Sequence, residues 1–386
     1  MSEFRTIREL CSVVVDCPHS TPKWTANGKI VIRNNNIKHG RIDFSSPSYT
    51  DDEHFAQRIK RAKPQPGDII ITREAPIGDV GMIPENTECC LGQRMVLLRA
   101  NQSVCDNFYL LYSLQSLYVQ HQISWSEGTG TTVSNLRIPH LEQIQIPYFP
   151  LEQQAKISSV LRALEEKIEN NRRLNDNLQQ QADALFSSLY DRSNTEVRFT
   201  DLIQILGGGT PKTGENTYWN GNIAFFTPKD VGTPYTLITE KTISKEGLSH
   251  CNSRLYPVNT VFVTARGTVG KVGMSGVPMA MNQSCYALVG KETHQLLVYF
   301  YTLKAVDRLK HKASGAVFDA ITTRDFESEQ IMKLSDDDAT AFLRVAEPMF
   351  QEVLNNNIEN LRLSTLRDSL LPKLMSGEID VSAVQL

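Results

Sequence analysis

The residues of this chain whose types and spacing could do chemistry are few, and each falls short of the reaction it suggests. Gly207-Gly208-Gly209-Thr210-Pro211-Lys212-Thr213 is shaped like a phosphate-binding loop, but such a loop needs glycine before its lysine so that backbone amides can cradle the phosphates. Pro211 stands there instead. Pro66-Gly67-Asp68 followed by Glu74 suggests the paired carboxylates that hold Mg²⁺ beside a scissile phosphate. The lysine expected two residues after Glu74 is Pro76. Methyl transfer to a flipped base would need a glycine-rich cofactor loop and an (Asn/Asp)-Pro-Pro-aromatic segment, and neither occurs. There is no GxSxG nucleophile elbow. The eight histidines form no HxxxH or HExxH pair, and the seven cysteines include the adjacent Cys89 and Cys90 but no CxxC. The expectation is a chain without catalytic residues, metal or cofactor of its own.

The sequence repeats itself, and that repeat dictates the architecture. Thr21-Pro22-Lys23 recurs as Thr210-Pro211-Lys212, and Asn27-Gly28-Lys29-Ile30 as Asn220-Gly221-Asn222-Ile223. Thr72 with Gly78-Asp79-Val80-Gly81 recurs as Thr264 with Gly270-Lys271-Val272-Gly273, and Gln93 falls near Gln283. Ile168-Glu169-Asn170 returns as Ile358-Glu359-Asn360, so one displacement of about 190 residues persists through each half. The duplication also weakens the nuclease reading. The second copy has Asn259 where an equivalent acid would fall and Arg266 near the position of Glu74.

Each half opens with β-rich sequence. Apolar runs such as Asp68 to Thr72 and Thr260 to Thr264 read as short strands, with glycines 78, 81, 270 and 273 marking turns between them. Helical spacing follows near Asn107 to Gln120 and His294 to Lys310. A longer helix closes each half. Ile157, Leu161, Leu164, Ile168, Asn171, Asn175, Leu178, Ala182, Leu185 and Leu189 keep unbroken 4-3 heptad spacing. About 36 residues at roughly 1.5 Å each reach on the order of 54 Å, the dimensions of a spacer. Asn171 and Asn175 on the seam would fix register by demanding hydrogen-bonded partners. The second half answers with Leu354, Ile358, Leu361, Leu366 and Leu370, interrupted by Asn355 to Asn357, with an acidic start at Asp336 to Asp338, a break expected near Pro348 and a stop at Gly377.

The fold class is therefore α+β: two similar β-rich mixed domains, at 1–150 and 193–335, separated by helices at 151–192 and 336–386 that pack as an antiparallel coiled coil with pseudo-twofold symmetry. A net charge of -3 argues against a protein that simply coats nucleic acid. Residues 23–63 nevertheless hold 9 bases against 4 acids, and Arg58, Lys60, Arg61 and Lys63 suggest a phosphate-facing strip. No apolar run is long enough to cross a bilayer and the first residues lack a secretory apolar segment, so no membrane association and a cytoplasmic location are expected.

Gly207-Gly208-Gly209-Thr210-Pro211, Tyr218-Trp219-Asn220-Gly221-Asn222-Ile223 and Thr227-Pro228-Lys229-Asp230-Val231 closely resemble the opening of the target recognition domains of Type I restriction–modification specificity subunits. Ile146-Pro147, Leu151-Glu152-Gln153-Gln154 and the segment Lys167 to Asn175 resemble that family's spacer helix. Residues 1–65 depart from the usual Gly-Gly-Thr-Pro opening. The resemblance implies a pseudo-twofold protein whose two domains each contact one half of a bipartite site in double-stranded DNA. It also implies partners: two modification subunits that bind S-adenosylmethionine and methylate adenine N6, and restriction subunits that use ATP and Mg²⁺.

Direct readout needs Arg or Lys for guanine, Asn or Gln for adenine, and small hydroxyl residues, all on loops. In the first half the candidates are Lys23, Arg33, Asn34, Asn35, Arg73, Gln93, Arg94 and Thr131. In the second they are Lys212, Thr227, Lys229, Arg266, Lys271, Asn282, Gln283 and Ser314. Arg73 and Arg266 stand out because each follows a strand at the mouth of a glycine-rich turn.

Overall fold

The fold is taken from a computed structural model that describes residues 3–38, 40–125, 135–232, 234–312 and 320–384. The chain divides into two compact units, Met1–Lys167 with Leu363–Leu386, and Ile168–Arg362.

The first unit begins β1 (Glu3–Thr6), α1 (Ile7–Leu10), β2 (Cys11–Asp16), β3 (Lys29–Ile32), β4 (Ile37–Lys38), β5 (Arg41–Ile42), β6 (Ser48–Thr50) and α2 (Asp52–Arg58). It continues β7 (Ile69–Thr72), β8 (Val80–Met82), β9 (Cys89–Leu91), β10 (Met95–Ala100), α3 (Asn107–Gln115), α4 (Leu117–Ser124), α5 (Ile138–Gln143) and β11 (Gln145–Tyr148), and leads into α6 (Leu151–Asp191). Thr6 turns β1 into α1: its hydroxyl accepts the Glu9 amide at 3.2 Å while the Glu9 carboxylate accepts the Thr6 amide at 2.7 Å, a reciprocal capping box.

The main sheet has the order β2-β10-β7-β8 and a smaller one the order β6-β3-β9. Ile69, Ile70 and Ile71 are all fully buried, which a strand achieves only when both faces of its sheet are covered. Side chains alternate between those faces. Ile69, Ile71, Val96 and Leu98 meet Tyr109 and Tyr112 of α3 and Ile157 and Leu161 of α6, whereas Ile70, Leu97 and Met95 meet Ile32, Ile37 and Cys89.

The second unit follows the same plan. Its elements are β12 (Thr195–Arg198), α7 (Phe199–Leu202), β13 (Ile203–Gly207), β14 (Trp219–Phe226), β15 (Tyr235–Thr236), β16 (Lys241–Ile243), α8 (Lys245–Ser249) and β17 (Val261–Thr264). Then come β18 (Val272–Ser275), β19 (Met279–Met281), β20 (Cys285–Gly290), α9 (Gln295–Lys312), α10 (Thr323–Ser328), β21 (Gln330–Lys333) and α11 (Asp336–Ser376). The order β13-β20-β17-β18 reproduces β2-β10-β7-β8 with β15 added at the edge, and β16-β14-β19 reproduces β6-β3-β9. The central pair is parallel in both small sheets, β3 with β9 and β14 with β19. The faces divide alike too: Val261, Val263 and Leu288 join the helix-side core, Phe262 and Ala287 the other.

α6 and α11 are each 41 residues long and pack antiparallel. In the second unit Asn171 reaches Asn360, Phe186 meets Phe342 and Arg192 pairs with Asp338, so numbers fall along one helix as they rise along the other. The seam there is an amide ladder. Asn171 Nδ2 donates to Glu359 Oε2 at 2.7 Å and Asn360 Oδ1 at 3.0 Å, and Asn175 donates to Asn357 and accepts from Asn356, both at 2.9 Å. In the first unit Glu165 stands 3.6 Å from Arg367, while Leu374 and Met375 join the core that holds Ile157 and Leu161.

Several local expectations are corrected. Leu185 is only partly buried against the core and its neighbour Phe186 is fully buried, stacking on Phe300 and meeting Phe342 edge-on. Leu366 is 45% exposed, and its neighbour Arg367 faces α6. α11 runs unbroken through Pro348. Proline deletes one backbone bond, yet Phe342, Ala346, Phe350 and Val353 anchor the stretch in the core. Gly81 and Gly273 lie inside β8 and β18 rather than in turns, where a neighbouring backbone passes close: a Cβ on Gly273 would sit 2.7 Å from the Gly232 carbonyl. The helix expected over Asn107 to Gln120 breaks at Ser116, whose extended backbone caps α4.

Candidate nucleic-acid interface

In each unit, loops leaving the strands of both sheets converge, and the same hydrogen bonds shape them twice. The Arg33 amide donates to Asn36 Oδ1 at 2.9 Å and the Asn36 amide to the Arg33 carbonyl at 2.9 Å. In the second unit the Thr227 amide donates to Asp230 Oδ2 at 2.8 Å and the Asp230 amide to the Thr227 carbonyl at 2.9 Å. An Asn or Asp side chain that bonds its own turn in this way holds the tip rigid. A second tie also recurs: the Gln93 amide binds the His19 carbonyl and the Thr21 hydroxyl, and Gln283 accepts the Thr210 hydroxyl.

The first unit gathers its tips around Glu74. Its Oε1 accepts Asn135 Nδ2 at 2.8 Å, its Oε2 lies 3.2 Å from Arg94 Nε, and its carbonyl accepts Asn34 Nδ2 at 2.6 Å. Arg33, Asn35 and Arg94 stand exposed on this cluster, with the Arg33 guanidinium 5.1 Å from the Trp24 ring centroid. Lys23 is exposed and pairs with Asp51 at 3.2 Å. The N-cap bond from the His54 amide, the His54 ring and, less strongly, Lys23 hold the Asp51 carboxyl down to about 2.

Arg73 is not among the exposed residues. Its Nη1 contacts both Asp16 oxygens at 2.8 Å, Nε donates to the Leu136 carbonyl at 2.9 Å and Nη2 to Asn135 Oδ1 at 3.1 Å. With the guanidinium committed inside the fold, Arg73 fastens the loop instead of facing outward. Arg58 of the expected phosphate strip is likewise 6% exposed, donating to the carbonyls of Leu91, Ser20 and Pro18. It pins the Cys17 to Lys23 loop, and burial pulls its guanidinium below the ordinary value.

In the second unit Lys212, Lys229, Arg266 and Gln283 are exposed. Lys229 lies 3.6 Å from Glu240. The Arg266 amide donates to the Ser284 carbonyl and the Thr268 hydroxyl to the Pro228 carbonyl, both at 3.2 Å, so the same loops meet. The Thr227 hydroxyl bonds Asp230 at 2.6 Å and Asn282 Oδ1 accepts the Ser284 amide at 3.0 Å, so both side chains shape turns. Lys271 opens onto a cleft beside α9 with Lys304, Asp307 and Lys310. Thr131 and Ser314 lie outside the described residues.

Glu74, Asn135 and Trp24 were missed as site residues from sequence. In the sequence Glu74 carries the pattern of a nuclease acid, and the offset that places it opposite Arg266 is its available signal. The two acids of that motif are engaged by arginines, Asp68 through two 2.8 Å bonds to Arg99. The phosphate-loop glycines have another reason as well: a Cβ on Gly208 would lie 2.2 Å from the Asn282 carbonyl. Among the described residues no group of three or more His, Cys, Asp or Glu could hold a metal ion.

One α+β scaffold built twice, each copy closed by segments of an antiparallel helix pair and each presenting cationic and amide side chains on rigid loops, defines a duplicated polar-recognition protein. The chain belongs to the Type I restriction–modification DNA specificity family: the Type I restriction modification DNA specificity domain matches residues 3–180 and again 192–333. It is a specificity subunit carrying that domain twice.

Over 186 residues it is 28% identical to the Type I restriction enzyme HindI specificity subunit of Haemophilus influenzae, a match covering 47% of this chain and 40% of that protein. Identity to the MjaIX specificity subunit of Methanocaldococcus jannaschii is 22%, across 82% of this chain and 78% of that one. The crystal structure of the Type I restriction–modification S subunit from M. genitalium has the same fold, with a TM-score of 0.60, 16% identity, and coverage of 96% and 95% of the two chains.

Proposed function

We propose that this chain supplies the DNA address of a Type I restriction–modification complex, the first unit (reader one) and the second unit (reader two) each contacting one half of a bipartite duplex site. The carrying observation is that one loop platform is built twice with matching internal bonds and different exposed side chains, Arg33, Asn35 and Arg94 against Lys229, Arg266 and Gln283. Such groups present the donors and acceptors that base edges require, while Lys23 and Lys212 suit phosphate contacts that set orientation.

The chemistry belongs to partners: two modification subunits that methylate adenine N6 with S-adenosylmethionine, and restriction subunits that use ATP and Mg²⁺. The chain itself acts without catalysis. No described helix is long and apolar enough to cross a membrane, and the work on chromosomal DNA assigns it to the cytoplasm.

Mapping N6-methyladenine across the genome of cells expressing the chain with the modification subunit of its own locus tests this reading. A two-part motif with an unspecified gap is expected. A single continuous motif, or no methylation dependent on this chain, overturns it.

A further inference from the structure

The two readers superpose through their hydrogen bonds, and this internal alignment separates frame from message. The Arg73 amide donates to the Arg94 carbonyl, and the Ala265 amide to the Ser284 carbonyl, each at 2.8 Å. Arg73 therefore corresponds to Ala265, Arg94 to Ser284, and the next residues, Glu74 and Arg266, to each other. What both readers keep is inward-facing: the Asn36 and Asp230 turns and the ties from Gln93 and Gln283. What they exchange lies at the exposed tip, a Glu74–Arg94 pair in one and Arg266 with Ser284 in the other.

Arg94 has two further marks. Its backbone sits at φ 67°, a left-handed conformation that is costly for a residue with a Cβ and that persists where surrounding structure enforces it. Its side chain is 55% exposed, while Glu74, at 24%, approaches it at Nε. Among the described residues the guanidinium has no other side-chain partner, which leaves its Nη nitrogens uncommitted. A planar fork steadied from behind can take guanine N7 and O6 together. In reader two Arg266 rises from the partner strand of the same loop pair and has no carboxylate beside it among the described residues.

We propose that Arg94 is the guanine-reading side chain of reader one, with Glu74 as its positioning residue, and that Arg266 makes the corresponding contact in reader two. This rests on the specificity reading above and names the side chains through which it acts. Arg94→Lys is the informative change, because lysine keeps the charge and loses the fork.

The experiment uses the full chain expressed with its modification subunit, reads N6-methyladenine genome-wide, and compares wild type with Arg94→Lys, Glu74→Gln, Glu74→Asp and Arg266→Lys. Arg94→Lys is expected to relax preference at one G·C pair of one half-site by about tenfold to a hundredfold and to leave the other half-site intact. Glu74→Gln relaxes the same pair less, and Glu74→Asp restores it. Arg266→Lys relaxes one pair of the opposite half-site. An unchanged motif in Arg94→Lys, or equal loss at every position of both half-sites, overturns the assignment. A wild-type chain that directs no two-part motif overturns the specificity reading itself, before any variant is scored.

Discussion

Replacing Arg73 by alanine asks whether the residue fastens the frame or reads DNA. The change removes two 2.8 Å contacts to Asp16 and bonds to Leu136 and Asn135, leaving a carboxylate whose side chain is 18% exposed. Breaking a buried pair from one side costs about 3–5 kcal/mol. His19 Nε2 already lies 2.9 Å from Asp16 and, with the residual exposure, compensates in part, so about 2–4 kcal/mol is expected. For a unit of about 190 residues, a central loss of about 3 kcal/mol lowers the melting temperature by about 6–12 °C. Calorimetry of the purified chain reads that shift, and Asp16→Asn should produce a loss of similar size. At a temperature where the variant stays folded, its methylation motif should match wild type. A variant as stable as wild type that loses one base of its motif would refute the reasoning, since Arg73 would then be facing DNA.

Phe186→Ala empties a fully buried site packed on Phe300, Tyr301 and Phe342; about 3–5 kcal/mol of stability should disappear in urea titration. Asn175→Leu orphans Asn356, which is 5% exposed, and should destabilise by about 1–3 kcal/mol, whereas combining it with Asn356→Leu should recover most of that loss in a double-mutant cycle. Burial pushes the Cys11, Cys89 and Cys285 thiols up to about 12, which keeps them protonated at pH 8. Iodoacetamide on the native chain should therefore label the partly exposed Cys251 first, as peptide mapping would show.

The repeat was legible because a shared frame demands shared residues. The Thr72 hydroxyl accepts the Asp79 amide at 3.0 Å and the Thr264 hydroxyl accepts the Lys271 amide at 2.9 Å, so the two threonines recur at one spacing. The helix seam was legible as far as Ala182, where an amide-and-leucine stripe meets a similar stripe. It continues through Leu189, but the seam there also takes in Phe186, which aromatic neighbours from α9 and α11 enclose.

The direction in which an arginine points was the illegible part. Arg73 and Arg94 both follow the pattern of exposed loop cations, yet Asp16 and Leu136, each at least 57 residues away, draw the first inward. Arg58 is drawn in by carbonyls up to 40 residues distant. Local spacing carries no record of such partners.

The walling-in of Ile69–Thr72 and Val261–Thr264 on both faces has an evolutionary consequence. Interior drift in those strands is checked by whether the chain still folds, whereas under the proposed function drift at the exposed tips would be checked by which genomic sites are marked. Under the proposed function, exposed tip residues such as Arg94 could change the address while inward-facing ones such as Arg73 stay tied to folding.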